Sequence, residues 1–183
     1  MSHEAKTVIL TIDGRLRDDS EKRYEAILTL YLPTDDNKEN LHPKYRAHPS
    51  WEPTPFWYNL FGSNLNGGWG ERTEDGLYRK KTIKVSAQTF EKLEERINAE
   101  IYSVKNVLRA IAPEDELKIV YSPLYQKIKK LAELEEEIKR EIRILELKEK
   151  ERAIREELKK LEKEKDSAIK EEPDETSPPF PMR

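Results

Sequence analysis

The sequence contains no cysteine and only three histidines. Without cysteine there are no disulfide bonds, no thiolate nucleophile and no cysteine-based zinc site. His42 and His48 each precede a proline and lie six residues apart, without the closer spacing and third ligand that a metal site usually has. The phosphate-binding patterns GxxxxGK[ST] and GxGxxG and the nucleophile pattern GxSxG are also absent. We therefore predict a binding protein rather than an enzyme, with no catalytic residue, metal or cofactor.

The sequence also lacks long apolar runs and a large net charge. No apolar run approaches the roughly 20 residues that span a bilayer, and the N-terminal MSHEAK has no signal core. These features predict a soluble, cytoplasmic protein that does not enter a membrane. Charged residues make up 39% of the chain and glutamine occurs only twice, a composition typical of hyperthermophile proteins. The net charge of -3 means that any nucleic-acid site must be a local patch.

The aromatic segment, residues 43–70, is the most unusual part of the chain. It reads PKYRAHPSWEPTPFWYNLFGSNLNGGWG and contains all three tryptophans, Trp51, Trp57 and Trp69, together with Phe61. Its four prolines exclude a helix or an inner strand. A long loop so rich in rings is uncommon. The rings either pack as a lid over the domain or stack on a ligand.

The rest of residues 5–122 predicts an α+β domain. Apolar runs at 6–13, 22–32, 77–85 and 117–121 have the length of strands, with Asp13 and Gly14 as turn or bulge residues. After Ser86, the predicted cap, apolar residues recur at helical spacing from Phe90 to Ile111. We expect a small antiparallel sheet covered by this one amphipathic helix.

Residues 123–170 predict a single long helix, because they contain no glycine and no proline after Pro123. One apolar stripe lies within residues 124–145 and a second, on roughly the opposite side, within 147–161. We expect residues 124–161 to form a homo-oligomer through these stripes. The alternative is a rigid, solvated spacer helix held by Glu–Lys and Glu–Arg pairs four residues apart. The proline-rich residues 171–183 predict a disordered tail.

A basic strand follows the aromatic segment directly. Arg72, Arg79, Lys80 and Lys84 lie within thirteen residues, and strand alternation places Lys80 and Lys84 on the face opposite Ile83 and Val85. Cations beside aromatic rings are typical of surfaces that bind single-stranded nucleic acid, because cations contact phosphates while rings stack on bases. The predicted site is therefore Trp51, Trp57, Trp69, Phe61, Arg72, Arg79, Lys80 and Lys84. The alternative for the lysines is protection of a sheet edge.

Two resemblances bear on function. Residues 82–111, TIKVSAQTFEKLEERINAEIYSVKNVLRAI, look like a ribbon-helix-helix DNA-binding element, although the apolar stripe continues through the place where two helices should divide. The whole layout of small sheet, aromatic and basic surface, and C-terminal helix is similar to the ThermoDBP single-stranded DNA-binding proteins of hyperthermophilic archaea. That resemblance implies a dimer or tetramer that coats single strands.

The sequence thus predicts a non-sequence-specific protein for single-stranded nucleic acid, DNA rather than RNA. About three to five contacted phosphates give an expected log–log salt slope near -2 to -4. Within the segment, strand alternation places Phe56 and Tyr58 on one side, as core anchors, and Trp57 on the other, as a stacking residue. Trp69 is the second expected stacking residue, because the flanking Gly68 and Gly70 give its ring little local support. The rival interpretation is a structural or assembly protein that binds another protein through the aromatic segment and the long helix.

Overall fold

The computed structural model describes residues 5–17, 23–38, 40–46 and 70–170. The chain divides into two compact units, Met1–Glu133 and Leu134–Arg183. Among the described residues, every strand lies in the first unit and the second unit consists of the later part of one long helix. Most of the aromatic segment and the proline-rich tail lie outside the described residues.

The first unit is built on a five-stranded sheet. Its strands are β1 (Thr7–Leu16), β2 (Tyr24–Pro33), β3 (Glu71–Arg72), β4 (Tyr78–Ala87) and β5 (Glu116–Tyr121), in the order β3-β4-β2-β1-β5. The helices are a short 3-10 turn (Pro43–Arg46), α1 (Phe90–Ile111) and α2 (Pro123–Lys170). The α+β class predicted from the sequence is confirmed.

One strand pair of the sheet is parallel, so the sheet is mixed rather than wholly antiparallel. β2 runs antiparallel to both β1 and β4, which gives β1 and β4 the same direction. Helix α1 then returns the chain across the sheet, and β5 pairs parallel with β1. A helical crossover is the usual connection between strands of one direction.

Helix α1 covers one face of the sheet. Its buried stripe is Phe90, Leu93, Ile97, Ile101, Val104 and Leu108, and it shares a core with alternate residues of β1 and β2. The N-cap is Thr89, whose side chain accepts from the Lys92 N–H at 3.3 Å. The expected cap, Ser86, is instead paired with Glu25 inside β4. Because α1 is one uninterrupted helix, the ribbon-helix-helix interpretation is wrong.

Gly14 lies inside β1 and not at a turn or bulge, because β1 continues to Leu16 and pairs Gly14 with Ala26. A Cβ at this position would stand 2.8 Å from the Tyr125 Cα. Helix α2 therefore begins in close contact with the sheet, and the missing side chain permits that contact.

The first turns of α2 belong to the core of the first unit. Tyr125, Ile128 and Ala132 are buried, and the Ser122 hydroxyl caps the helix by accepting from the Tyr125 N–H at 3.1 Å. The sequence placed the domain boundary at residue 122, whereas the compact unit continues to Glu133. From Leu134 to Lys170 the helix is continuous, as predicted, and its aliphatic side chains are exposed.

Candidate nucleic-acid interface

The sheet has a second face, opposite α1, that we call the open face. Strand register assigns residues to it: directly paired residues of neighbouring strands point to the same side. Leu28 pairs with Ile83, and both belong to the core with α1. Lys80 and Lys84 are offset from Ile83 by odd numbers of residues and so lie on the open face, as alternation predicted.

A cross-strand row on the open face places an aromatic ring between two lysines. From edge to edge the row is Lys118, Ile9, Tyr31, Lys80 and Glu71. The ring of Tyr78 stands edge-on to that of Tyr31, with centroids 6.4 Å apart. Both tyrosines are half-buried, so part of each ring is accessible. Rings and cations thus share one surface within the described residues.

Tyr78 also borders an open groove at the end of the sheet. The groove has a volume of about 460 Å³. Its lining residues include Lys6, Lys38, Asp35 and Asp36 beside the tyrosine. Tyr78 thus belongs both to the open face and to the lining of this groove.

The two lysines of the predicted site have different surroundings. The Lys84 Nζ lies 2.9 Å from one oxygen of Glu25, and the Arg17 Nε lies 3.1 Å from the other. Glu25 is only 3% exposed, so Lys84 neutralises a buried charge. The Lys80 Nζ lies 3.8 Å from the Glu71 carboxylate, which is 85% exposed. Because that ion pair is long and solvated, Lys80 can exchange it for a phosphate at little cost.

Arg72 and Arg79 do not share the face of Lys80 and Lys84. They pair with each other across β3 and β4, on the side of the sheet that α1 covers. The Arg72 guanidinium donates to the Lys38 carbonyl at 3.0 Å, and that of Arg79 donates to the Gly70 carbonyl at 3.4 Å. Their contacts hold neighbouring loops at the end of the sheet.

The aromatic residues of the predicted site, Trp51, Trp57, Phe61 and Trp69, lie outside the described residues. The chain is described on both sides of them, at the 3-10 turn and at Gly70. Gly70 has a φ of +75°, and a Cβ there would clash with the Lys80 carbonyl oxygen at 2.0 Å. The segment therefore rejoins the sheet beside Lys80.

A buried polar cluster fixes the other flank of the segment. The Asp115 carboxylate accepts from the Tyr45 hydroxyl, from the Lys6 N–H at 3.0 Å and from the Lys44 Nζ at 3.2 Å. Lys44 also pairs with Glu114. Asp115 directly precedes β5, at the same end of the sheet as Tyr78. Both flanks of the segment therefore meet the sheet at the end that holds the Tyr31–Tyr78 pair.

Burial and charge set the protonation states in this cluster. Burial alone would raise the pKa of Asp115, but the hydrogen bonds from Tyr45, Lys6 and Lys44 outweigh it and hold the pKa below its usual value. Burial, with the Asp115 hydrogen bond, raises the pKa of the Tyr45 hydroxyl. Burial and the nearby lysines lower the pKa of His42, whose Nδ1 is buried without a partner among the described atoms. The cluster therefore contains an ionised aspartate and a neutral histidine at pH 7.

No metal-binding group is formed within the described ranges, where no three histidine or carboxylate side chains converge. The Asp115 cluster has the contacts of a structural anchor, because each oxygen of its carboxylate is already hydrogen-bonded.

The charge of the open face is close to balance, which a list of its cations alone does not indicate. Strand register places four basic and four acidic residues on this face: Arg15, Lys80, Lys84 and Lys118, and Asp13, Glu25, Glu71 and Glu116. Arg17, whose Nε lies 3.1 Å from the Glu25 carboxylate, adds one cation, so the described residues give this face only a small net positive charge. Ligand binding on this face must depend on the rings and on individual lysines.

Tyr31, Tyr78 and Lys118 are absent from the site predicted from the sequence. Tyr31 alternates with the core residues Leu30 and Leu32, so its position on the opposite face could have been found from period-two patterning. Lys118 could not have been placed beside it, because that requires the parallel pairing of β5 with β1.

Comparisons with known proteins identify no relative: no family model, no curated protein and no solved structure matches the chain. Among the described helices, none has an apolar stretch of the length that a bilayer crossing requires.

Proposed function

We propose that the protein binds single-stranded nucleic acid, DNA in preference to RNA, without sequence specificity, on the open face of the sheet. The supporting observation is the Tyr31–Tyr78 ring pair, with Lys80 and Lys118 in the same cross-strand row as Tyr31. Stacking on sheet aromatics is the means by which several small α+β modules hold unpaired bases. The aromatic segment joins the sheet at this end, and we include its Trp57 and Trp69, which lie outside the described residues, as further candidates for stacking.

The small net charge of the face changes the expected salt dependence. Lys84 forms an ion pair with Glu25. Lys80 and Lys118 are therefore the cations best placed to contact phosphates. Contacts to one or two phosphates give a log–log slope of about -1, at roughly 0.7 per phosphate. That slope is shallower than the one expected from sequence alone.

The decisive experiment is fluorescence anisotropy with a labelled oligothymidine at several salt concentrations. Tyr31→Leu and Tyr78→Leu should each weaken binding by about 1–3 kcal/mol, because each removes a stacking surface. Lys80→Ala should weaken binding less and make the salt slope shallower. Lys92→Ala, an exposed lysine on α1, is the matched control and should change neither quantity. Failure of the parent to bind any single strand at low salt would refute the proposal.

A protein-assembly function is the second candidate, and the small net charge of the open face favours it. A surface with half-buried tyrosines, threonines and paired charges also suits a protein partner. The same variants separate the two functions: in an assembly protein, Tyr31→Leu leaves oligonucleotide binding unchanged at every salt concentration.

A further inference from the structure

The later part of α2 has an apolar stripe with the spacing of a two-stranded coiled coil. Positions 144, 147, 151, 154, 158, 161, 165 and 168 alternate steps of three and four residues, the spacing of heptad core positions. Six of the eight are aliphatic: Ile144, Leu147, Ile154, Leu158, Leu161 and Ala168. The leucine and isoleucine side chains from 147 to 161 are 54 to 60% exposed. We call these eight positions the C-terminal stripe.

The charges beside the C-terminal stripe change sign along the helix. The flanking residues of its first half are all basic: Arg143, Lys148, Lys150 and Arg155. Three of the four flanking residues of its second half are acidic, namely Glu157, Glu162 and Glu164, and the fourth is Ile169. Flanking charges decide which helix a coiled-coil segment accepts and in which direction.

Over the full length of the stripe, this charge pattern is complementary to a second copy of itself only when that copy runs in the opposite direction. In a parallel, in-register pair, basic flanks face basic flanks and acidic flanks face acidic ones. Glu151 and Lys165, the two charged positions of the stripe, would then each meet their own copy in the core. Reversal of one helix places the basic half against the acidic half. We propose that residues 144–168 pair antiparallel with the same residues of a second copy of this chain.

One register aligns the aliphatic core positions and pairs the outer flanking charges. With the pair centred at residue 156, Ile154 packs against Leu158 of the second copy. Lys148 then faces Glu162 of the second copy, and Lys150 faces its Glu164. At the centre, Arg155 and Glu157 each meet their own copy, on opposite flanks of the core. Each Arg155 guanidinium is already bound to Glu151 of its own helix at 2.6 Å.

Cysteine trapping tests the direction of the pair, since the chain contains no cysteine of its own. Leu147→Cys and Lys165→Cys are made as separate single variants. When the two variants are mixed and mildly oxidised, they should form a disulfide-linked dimer that contains one chain of each variant. Leu147→Cys alone should remain uncrosslinked, because residue 147 of the second copy lies far along the helix. Glu149→Cys, on the outer side of the helix, is the control for random collision.

The result that overturns the proposal is a Leu147→Cys homodimer without a mixed product, since only a parallel pair brings the two copies of residue 147 together. A mixed product of Leu147→Cys with Leu158→Cys, in place of Lys165→Cys, keeps the antiparallel direction and rejects the register centred at residue 156.

Charge reversal tests whether the flanks select the partner. Glu157→Lys, Glu162→Lys and Glu164→Lys together make all the charged flanks basic and should abolish association in light scattering at tens of micromolar. The matched control reverses Glu149, Glu156 and Asp166, three acidic residues away from the stripe, with the same change in net charge. A monomeric parent, or equal dissociation of the control, contradicts the proposal. This inference is independent of nucleic-acid binding, and neither result decides the other.

Discussion

Asp115 shows how one buried carboxylate can position a functional surface. Its oxygens accept from Tyr45, Lys6 and Lys44, which joins three separate parts of the chain at the end of the sheet. Removal of any donor would leave a buried charge without its partner, and such losses are costly. The anchor lies next to the aromatic segment, so its loss should affect both stability and the proposed binding.

Asp115 should make stability depend on pH in the acid range. Its pKa is lower in the folded protein than in the unfolded chain, so its contribution is complete above the unfolded pKa near 3.9 and disappears as pH falls through the folded pKa. Asp115→Asn should lower the free energy of unfolding at pH 7 by about 1–3 kcal/mol. The difference between parent and variant should shrink below about pH 4. Urea unfolding from pH 7 to pH 2.5 measures it; a constant difference across that range would contradict the assignment.

Gly14 should tolerate no side chain. Alanine at this position places its Cβ 2.8 Å from the Tyr125 Cα, and a backbone atom cannot move aside without displacement of α2. Gly14→Ala should therefore destabilise the first unit by about 1–3 kcal/mol, the range for overpacked cores. Chemical denaturation of parent and variant measures this difference in the free energy of unfolding. Arg15→Ala is the control, because Arg15 is the exposed neighbour in the same strand. It should change stability by less than about 0.5 kcal/mol. An equal loss of stability in both variants would show that the strand, and not the contact with α2, is the cause.

At the scale of elements, the sequence was most informative where a periodic pattern coincides with burial. The stripe from Phe90 to Leu108 defined α1, and alternation in β1 and β2 defined the core face. The parallel position of β5 was missed because strand pairing depends on contacts distant in sequence. The Ser86 cap was missed because pairing with Tyr24 and Glu25 extends β4 through Ser86 to Ala87.

The candidate site was predicted less completely than the fold. Lys80 and Lys84 were placed on the correct face, since alternation is a local property. The separation of Arg72 and Arg79 onto the other face follows from the β3–β4 pairing. Strand β3 contains only two residues, too few to show the alternation by which a strand is predicted from sequence. The ion pair between Lys84 and the buried Glu25 could not be predicted either, because it depends on the pairing of β2 with β4.

The boundary within α2 gives a truncation experiment. A chain that ends after Glu133 keeps Tyr125, Ile128 and Ala132 in the core and should fold with nearly the stability of the full chain. A chain that ends after Ser122 loses a buried tyrosine and isoleucine, for which large-to-small losses of about 2–5 kcal/mol each are typical. Circular dichroism melts compare the two. Equal melting temperatures would place the boundary at residue 122, as the sequence suggested.

At the scale of the whole molecule, binding and association should cooperate. Two binding domains joined by paired helices make the second contact with a long strand intramolecular, which raises apparent affinity without any new contact. The gain requires that both domains reach the same strand, so it should be absent on a strand long enough for only one domain. A gain in affinity on long strands would indicate a protein that coats single strands. Its absence would indicate a protein whose domains bind one short site at a time.

Leu147→Gln with Leu158→Gln is the variant that tests this cooperation, because it removes two aliphatic side chains from the C-terminal stripe without a change in charge. On a strand of about 12 nucleotides, near the site size of one small binding domain, parent and variant should bind equally. On a strand several times longer, the parent should bind about tenfold or more tightly than the variant. Anisotropy titrations at fixed salt measure the affinities for the short and the long strand. Light scattering confirms that the variant is monomeric. Equal affinity for the long strand, with association lost, would show that each domain acts alone and that the paired helices have another purpose.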